Sequence, residues 1–463
     1  MNINRIRSSR RYVIIILIAL GCCTQTKAQD ELDTSITNTL QNSINTMLAT
    51  YNVKGISAAV YVPGKKMWKG VSGESYAGVP MDTSMLLSIG SITKTLVASE
   101  IFKLIEAGQL SLSDTVGALL PPITNVNTGI TISQLLSHTS GMGDYLNSAW
   151  QTAMFSDLNA LWYYPSALTA FCSPATGGPG SPWNYCNANY SLLGMIIEAK
   201  KSDSLHRVLR NDFINPFNLN NTHMEAFESY TNPIPHNWTT PTLNPALATD
   251  ASGTPHNALW SSVEPAGGYF ADAADIAKWG YNLYSGKVIS PSSLTSMLSF
   301  IPVSSSYFNG YGMGSMRFVA NGRTYYGHGG NYFGYAASML YYPKDSICVA
   351  VLINQDCIAT YEARSLMNVL INKLATVDIN EAVLDNKVTI DPNPAHKQLS
   401  IHVPGNNTPV QIVITDVAGR TVYEANMNTR NIAVNTANFS AGAYFIKIIT
   451  DRQTVVKQVV VKH

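Results

Sequence analysis

Ser88-Ile89-Gly90-Ser91-Ile92-Thr93-Lys94-Thr95 is the stretch on which the reading of this chain turns. A helix-forming run, Leu96 to Ala107, follows it, and Gly108 closes that run. In a helix, residues i and i+3 share a face, so the Ser91 hydroxyl and the Lys94 amine become neighbours. A serine in the first turn also meets the positive end of the helix dipole, which favours developing negative charge. That geometry suits a serine nucleophile with a lysine beside it to take its proton. The same letters suit an N-cap serine and a solvated helix lysine. S-x-x-K arises about once by chance in a chain of this length. The pair gains weight only from what the rest of the chain sets around it.

Immediately before the pair, Ile36, Leu40, Ile44, Met47, Leu48 and Tyr51 recur at helical spacing, and Gly55 ends that helix. Ile56 to Val62 and Met67 to Val71 read as a hairpin around Pro63-Gly64. After the pair, Ile130 to Gly141 reads as a short capped helix running into a turn. Tyr145 to Tyr190 is irregular and aromatic, a pocket wall or a surface lid, and Ser191 to Lys200 resumes a helix. A second long loop spans Thr231 to Ser261, and Asp272 and Asp275 cap a helix through Tyr284. Strands are expected at Tyr311 to Val319, Thr324 to Tyr326, Ala336 to Tyr342 and Ile347 to Ile353, then a helix at Tyr361 to Leu374. This order predicts one α/β domain. Its antiparallel sheet draws strands from both ends, is flanked by helices, and carries Ser91 on a helical insertion. Beyond Asp378 six short strand-like runs recur without helical period, which reads as a small all-β sandwich. The expected division is a leader at 1–28, a main domain at 29–377 and the sandwich at 378–463.

Bulk properties narrow the class. The chain has 463 residues, 46% hydrophobic, only 13% charged, with a formal net charge of +1. So balanced a charge argues against a nucleic-acid partner, which needs a basic surface. Arg5, Arg7, Arg10 and Arg11 precede the apolar run Tyr12 to Leu20, and Thr26-Lys27-Ala28 follows. That pattern reads as a secretory signal peptide cleaved after Ala28 or Gln29, giving a secreted or cell-surface protein. Cys22 and Cys23 offer a lipoprotein alternative, but Ala19-Leu20-Gly21 is a poor lipobox. In an oxidising compartment, Cys172 and Cys186 flank a Gly/Pro-rich loop and are expected to form a disulfide. The apolar run Ile347 to Ile353 reads as one strand, which holds Cys348 and Cys357 too far apart to be expected to pair. No H-E-x-x-H or paired-cysteine motif calls for a metal, and no cofactor is implied.

A serine–lysine nucleophile needs a second proton carrier, a neutral polar group near the lysine, and backbone donors for an oxyanion. Tyr185-Cys186-Asn187 offers a phenol and a carboxamide, and His328-Gly329-Gly330 a strand that backbone and substrate can approach closely.

Taken in order, Ser91-Ile92-Thr93-Lys94, Tyr185-Cys186-Asn187 and His328-Gly329-Gly330 resemble the S-x-x-K, Y-x-N and H/K-x-G motifs of serine β-lactamases and penicillin-binding proteins. The branch most resembled is that of class C β-lactamases, D-alanyl-D-alanine carboxypeptidases and esterases. Leu135-Leu136-Ser137-His138-Thr139-Ser140-Gly141 and the Gly267-Gly268 segment agree with it, and the resemblance covers about residues 31 to 376. It implies that Ser91 is acylated and that Lys94 and Tyr185 share the general-base work, with the resting base left open between them. It further implies that Asn187 orients Lys94 and substrate, that His328 lines the site, and that the backbone N–H groups of Ser91 and Asn331 form the oxyanion hole. His328 stands where class C β-lactamases carry lysine, which moves the expectation toward a carboxypeptidase or esterase. D-Ala-D-Ala peptides, β-lactams and short esters are the implied substrates; a penicillin- or peptide-binding protein without turnover is the other reading.

Ile390-Asp391-Pro392-Asn393-Pro394, Asp416-Val417-Ala418-Gly419-Arg420 and Ala441-Gly442-Ala443-Tyr444 resemble a type IX secretion sorting domain of the Bacteroidetes. That resemblance implies the type IX secretion machinery as a partner, then release or surface attachment.

Overall fold

In a computed structural model, residues 31–240, 248–253, 257–305, 307–320, 322–356, 372, 388–403, 410–417, 419–449 and 454–463 are described. The expected leader, Cys357 and all but one residue of the expected helix at 361–374 lie outside them.

The buried apolar runs decide the centre. Tyr335–Tyr342 and Ile347–Ile353 are buried at every position, as strands covered on both faces must be. They sit in the middle of a nine-stranded sheet with Ile347–Ile353 paired antiparallel to Gly55–Tyr61, Val60 opposite Val349. The sheet is thus closed by strands from both ends of the main domain. Strand alternation sends Val349, Val351 and Ile353 to one face, where they pack with Ile36, Leu40, Ile44 and Met47 of the Thr34–Tyr51 helix. Cys348, Ala350 and Leu352 go to the other face, against Ile276, Ala277, Trp279 and Leu283 of the Ala273–Tyr284 helix. That helix lies so close that a Cβ on Gly280 would stand 2.5 Å from the Cys348 sulfur.

The first helix ends on Asn52 in the left-handed conformation, φ 52°, and Gly55 opens the next strand rather than ending the helix. The aromatic stretch after Tyr145 contains two helices, Ser148–Ser156 and Tyr164–Phe171, so its polar backbone is satisfied more locally than its irregular pattern suggests. Asp272 caps Ala273–Tyr284 as expected, its carboxylate accepting from the Asp275 N–H at 2.7 Å. The Tyr311 to Val319 run is broken: Gly310–Tyr311 and Met316–Ala320 are separate strands, and Gly314 at φ 87° turns the chain between them. Arg323–Tyr332 is one long strand, which places His328-Gly329-Gly330-Asn331 inside the sheet rather than after it.

The C-terminal strands form two sheets. Thr389–Asp391, Gln398–His402 and Asn431–Asn435 make one; Thr421–Met427, Val410–Asp416, Gly442–Ile449 and Thr454–Val461 make the other, in that spatial order. Leu399, Ile401, Ile412, Ile414, Ile446 and Val459 share one core, the alternation of a sandwich. Among the described residues, no helix is long and apolar enough to cross a membrane.

Candidate active site

Ser91 sits in a single 3-10 turn, Gly90–Ile92, that feeds the helix Thr93–Glu106. The helix is buried nearly all round, so Lys94, one turn past Ser91, has no exposed surface. Its amine lies 2.9 Å from Ser91 Oγ, 2.9 Å from Asn187 Oδ1 and 2.7 Å from the Ala266 carbonyl. Asn187 is the first residue of the helix Asn187–Lys201, and its N–H and Nδ2 both donate to Asp144 Oδ2 at 2.9 Å. A carboxylate only accepts, so this fixes the amide with its oxygen toward Lys94. Two of the lysine's three bonding directions are then committed to groups that can only accept, Asn187 Oδ1 and Ala266 O. The third faces Ser91. An ammonium donates there; a neutral amine presents its lone pair to the serine proton. Burial drives Lys94 from its ordinary value down to about 7, opposed by the Asp144 carboxylate, so the neutral form is well populated near neutral pH.

Tyr185 brings its ring under the same amine, 4.9 Å from the ring centre. Its buried hydroxyl feels Ser91 but meets no partner at hydrogen-bonding geometry, and burial raises its pKa, so it stays a phenol.

The side of the site facing the sheet is built from backbone. Residues 323–327 pair with 316–320, but beyond Gly327 that edge of the strand is free of a partner strand and runs against the Gly90–Ile92 turn. A Cβ on Gly330 would stand 2.0 Å from the Ile89 carbonyl, and one on Gly90 2.9 Å from the Asn331 nitrogen. Only glycines allow this approach, which brings the Gly90–Ile92 turn onto the backbone of Gly330 and Asn331.

His328 differs from expectation: it is fully buried and lies behind the site instead of lining it. Its Nδ1 lies 2.6 Å from the Gly329 carbonyl and its Nε2 3.0 Å from the Tyr311 hydroxyl. Tyr311 also meets His138 Nε2 at 3.2 Å, while His138 Nδ1 accepts from the Cys186 N–H and from Asn189 Nδ2. The acceptor role of that Nδ1 puts the His138 proton on Nε2, toward the Tyr311 oxygen. Tyr311 then donates to His328 Nε2, and His328 Nδ1–H donates to Gly329 O. Burial, with Lys94 close by, holds His328 down to about 3 and His138 well below its ordinary value; both are neutral.

The expected Cys172–Cys186 disulfide is not formed; both are buried free thiols. The loop between them is bonded at several points to the 138–144 segment. Thr176 and Gly177 N–H donate to Gly141 O, Gly180 N–H to Thr139 O, and Asn184 N–H to His138 O. That hydrogen bonding anchors the loop ends in place of a covalent link.

Ser91, Tyr185, Gly329, Gly330 and Asn331 open on one cavity of about 630 Å³; Lys94 and Asn187 stand behind Ser91. Asp144, Ala266 and Tyr311 were not singled out from sequence. The first sits in Gly141-Met142-Gly143-Asp144, which reads as an ordinary turn. Among the described residues, no cluster of metal-ligating side chains occurs.

Comparison with known proteins bears on the family and the fold. The family described as Beta-lactamase matches residues 40–369, and the Secretion system C-terminal sorting domain matches residues 389–462. Penicillin-binding protein 4 of Amycolatopsis lactamdurans is 27% identical over 362 residues, 74% of this chain and 91% of that protein. PbpX of Bacillus subtilis (strain 168), named as a penicillin-binding protein, is 30% identical over 244 residues. That match covers 52% of this chain and 55% of PbpX, so this chain spans about half the length of that relative. The crystal structure of a D-stereospecific amidohydrolase from Streptomyces sp. superposes with a TM-score of 0.61 at 26% identity, over 70% of this chain and 95% of that one. With more than half of its length matched, the chain belongs to the beta-lactamase family, and it ends in a type IX secretion sorting domain.

Proposed function

We propose that this protein is an exported serine hydrolase that cleaves an amide or ester through an acyl-enzyme on Ser91, in the manner of a D-alanyl-D-alanine carboxypeptidase or an esterase. The observation that carries this reading is the amine of Lys94, held 2.9 Å from Ser91 Oγ with its other contacts committed to acceptors. Lys94, with a pKa near 7, is the better resting base; the raised phenol of Tyr185 suits it to hand a proton onward. Ser91 Oγ attacks the carbonyl carbon as its proton passes to Lys94. The amides of Ser91 and Asn331 receive the developing oxyanion. Tyr185 relays the proton to the departing nitrogen or oxygen, the bond to the leaving group breaks, and an ester on Ser91 remains. Water, deprotonated by the same pair, then attacks that ester and regenerates the serine. The sorting domain supports export through the type IX machinery, with residues 1–28 as the leader.

The test is p-nitrophenyl acetate turnover together with mass spectrometry after incubation with a labelled penicillin. Wild type should turn over the ester, and any adduct should sit on the Ser91 peptide. Turnover and adduct that survive Ser91→Ala would sink the assignment. A penicillin adduct with no ester turnover would favour a binding protein, and rapid loss of the adduct a β-lactamase.

A further inference from the structure

We propose that the site takes substrates that are uncharged next to the scissile bond and carry an aromatic or branched apolar group, and that it excludes a carboxylate at that place. This rests on the Ser91 acyl-enzyme reading and narrows it to the esterase-like half, setting aside the carboxypeptidase half, whose leaving group carries a carboxylate beside the scissile bond. The wall of the cavity beside Ser91 is made by Trp183, Tyr307, Phe308, Met316 and Phe318, and its polar members are mainly serines. Trp183 and Phe308 meet edge to face at 5.8 Å, and Phe308 meets Phe318 likewise at 6.4 Å, so the wall is a packed aromatic surface. No Lys, Arg, Asp or Glu is found among the described residues that line it.

The nearby cations are committed elsewhere. Lys94 spends its bonding directions on Ser91, Asn187 and Ala266 and has no exposed surface. Arg317 lies between Met316 and Phe318 on their strand, so alternation turns it to the opposite face, where it bonds Asn309 and stacks over Phe300 at 5.3 Å. His328 has both ring nitrogens engaged and is neutral. A carboxylate entering here loses its water and finds no opposite charge, a heavy penalty in an apolar cleft. The volume points the same way. A pocket of about 630 Å³ falls within the range that encloses drug-sized groups and is far larger than a methyl side chain fills.

The test uses a matched pair, the phenylacetylglycyl ester of 3-hydroxybenzoic acid and that of its methyl ester. They differ only in one carboxylate. The neutral ester should show a kcat/KM at least 100-fold higher, and p-nitrophenyl phenylacetate should exceed the acetate at least tenfold. Phe308→Ala, or Phe308→Leu if the first variant is unstable, should shrink the phenylacetate-to-acetate ratio severalfold. Equal turnover of the paired esters, or an unchanged ratio in both variants, overturns the proposal and leaves the Ser91 reading standing. Retention of all these rates in Ser91→Ala overturns the Ser91 reading, and this proposal with it.

Discussion

Replacing Asp144 by Asn should move the acidic limb of the pH–rate profile toward lower pH. Asp144 reaches Lys94 through Asn187, by two hydrogen bonds of 2.9 Å with one amide between them. The carboxylate is therefore within about 8 Å of the amine, where opposite charges attract by about 2 kcal/mol at an effective dielectric of about 20. That energy equals about 1.5 pKa units. The sign follows from which form the anion favours. Asp144 stabilises the ammonium, so its removal lowers the pKa of Lys94 from about 7 and frees the base at lower pH. An asparagine oxygen can still accept from Asn187, so the geometry is retained while the charge goes. The assay is kcat/KM for a neutral p-nitrophenyl ester from pH 4.5 to 9, which reports the free enzyme. Wild type should fall off below a midpoint near 7, the variant below a midpoint about one to 1.5 units lower. A midpoint that stays put, or rises, refutes Lys94 as the base that sets this limb.

Gly330→Ala should lower kcat by about 10²–10³, the usual penalty for losing an oxyanion donor, because its Cβ would stand 2.0 Å from the Ile89 carbonyl and push the strand off Ser91; near-wild-type kcat would contradict the assigned oxyanion hole. Tyr311→Phe should lower the melting temperature and kcat together, since it strips partners from His138 and His328, each orphaned buried group costing about 1–3 kcal/mol. Calorimetry and initial rates check this. Lys94→Met should abolish turnover yet stabilise the fold, because burial has brought the lysine from 10.5 to about 7, an upper limit of about 5 kcal/mol against its charge. The advantage should grow as pH falls from about 10.5 to about 7 and stay flat below, as melting curves at several pH values would show. Cys172 and Cys186 should both alkylate in denaturant without reductant; a peptide pair joined until reduction would contradict the free thiols.

What the sequence makes legible here is whatever depends on local period and on motif order. The mostly apolar runs Ala336 to Tyr342 and Ile347 to Ile353 announce strands, and an antiparallel sheet drawn from both ends of the domain is legible, whereas the order of its nine strands is not. Ser91 and Lys94 are legible because their meeting is set within one helical turn. Asp144 is not, because a turn aspartate looks the same whether it caps its own loop or orients an amide 43 residues away. Asn187 is legible as a motif letter, but its place as the first residue of a helix is not, because that start depends on an acceptor elsewhere; here Asp144 takes its N–H. The cysteines mislead by the same logic. Proximity along a Gly/Pro-rich loop says nothing of which segment that loop bonds to, and Gly141 and His138 take its hydrogen bonds. His328 was visible as a motif letter, but its burial follows from Tyr311, a pairing that no spacing encodes.

Two hydrogen-bond chains converge on the site, and each is anchored at groups that can only accept. One runs from Lys94 through Asn187 to the Asp144 carboxylate, with a branch to the Ala266 carbonyl. The other runs from His138 through Tyr311 and His328 to the Gly329 carbonyl. Fixed acceptors at the ends set the direction of every donor between them, so those groups hold position during a turnover while Lys94 alone among them gains and loses a proton. Neither chain directs the hydroxyls of Ser91 and Tyr185. Ser91 faces the one bonding direction of Lys94 that no acceptor claims, and the Tyr185 hydroxyl, beside Ser91, meets no partner at hydrogen-bonding geometry. The groups left undirected are the ones the proposed acylation step requires to change partners, and the rest of the buried network holds the groups around them in place.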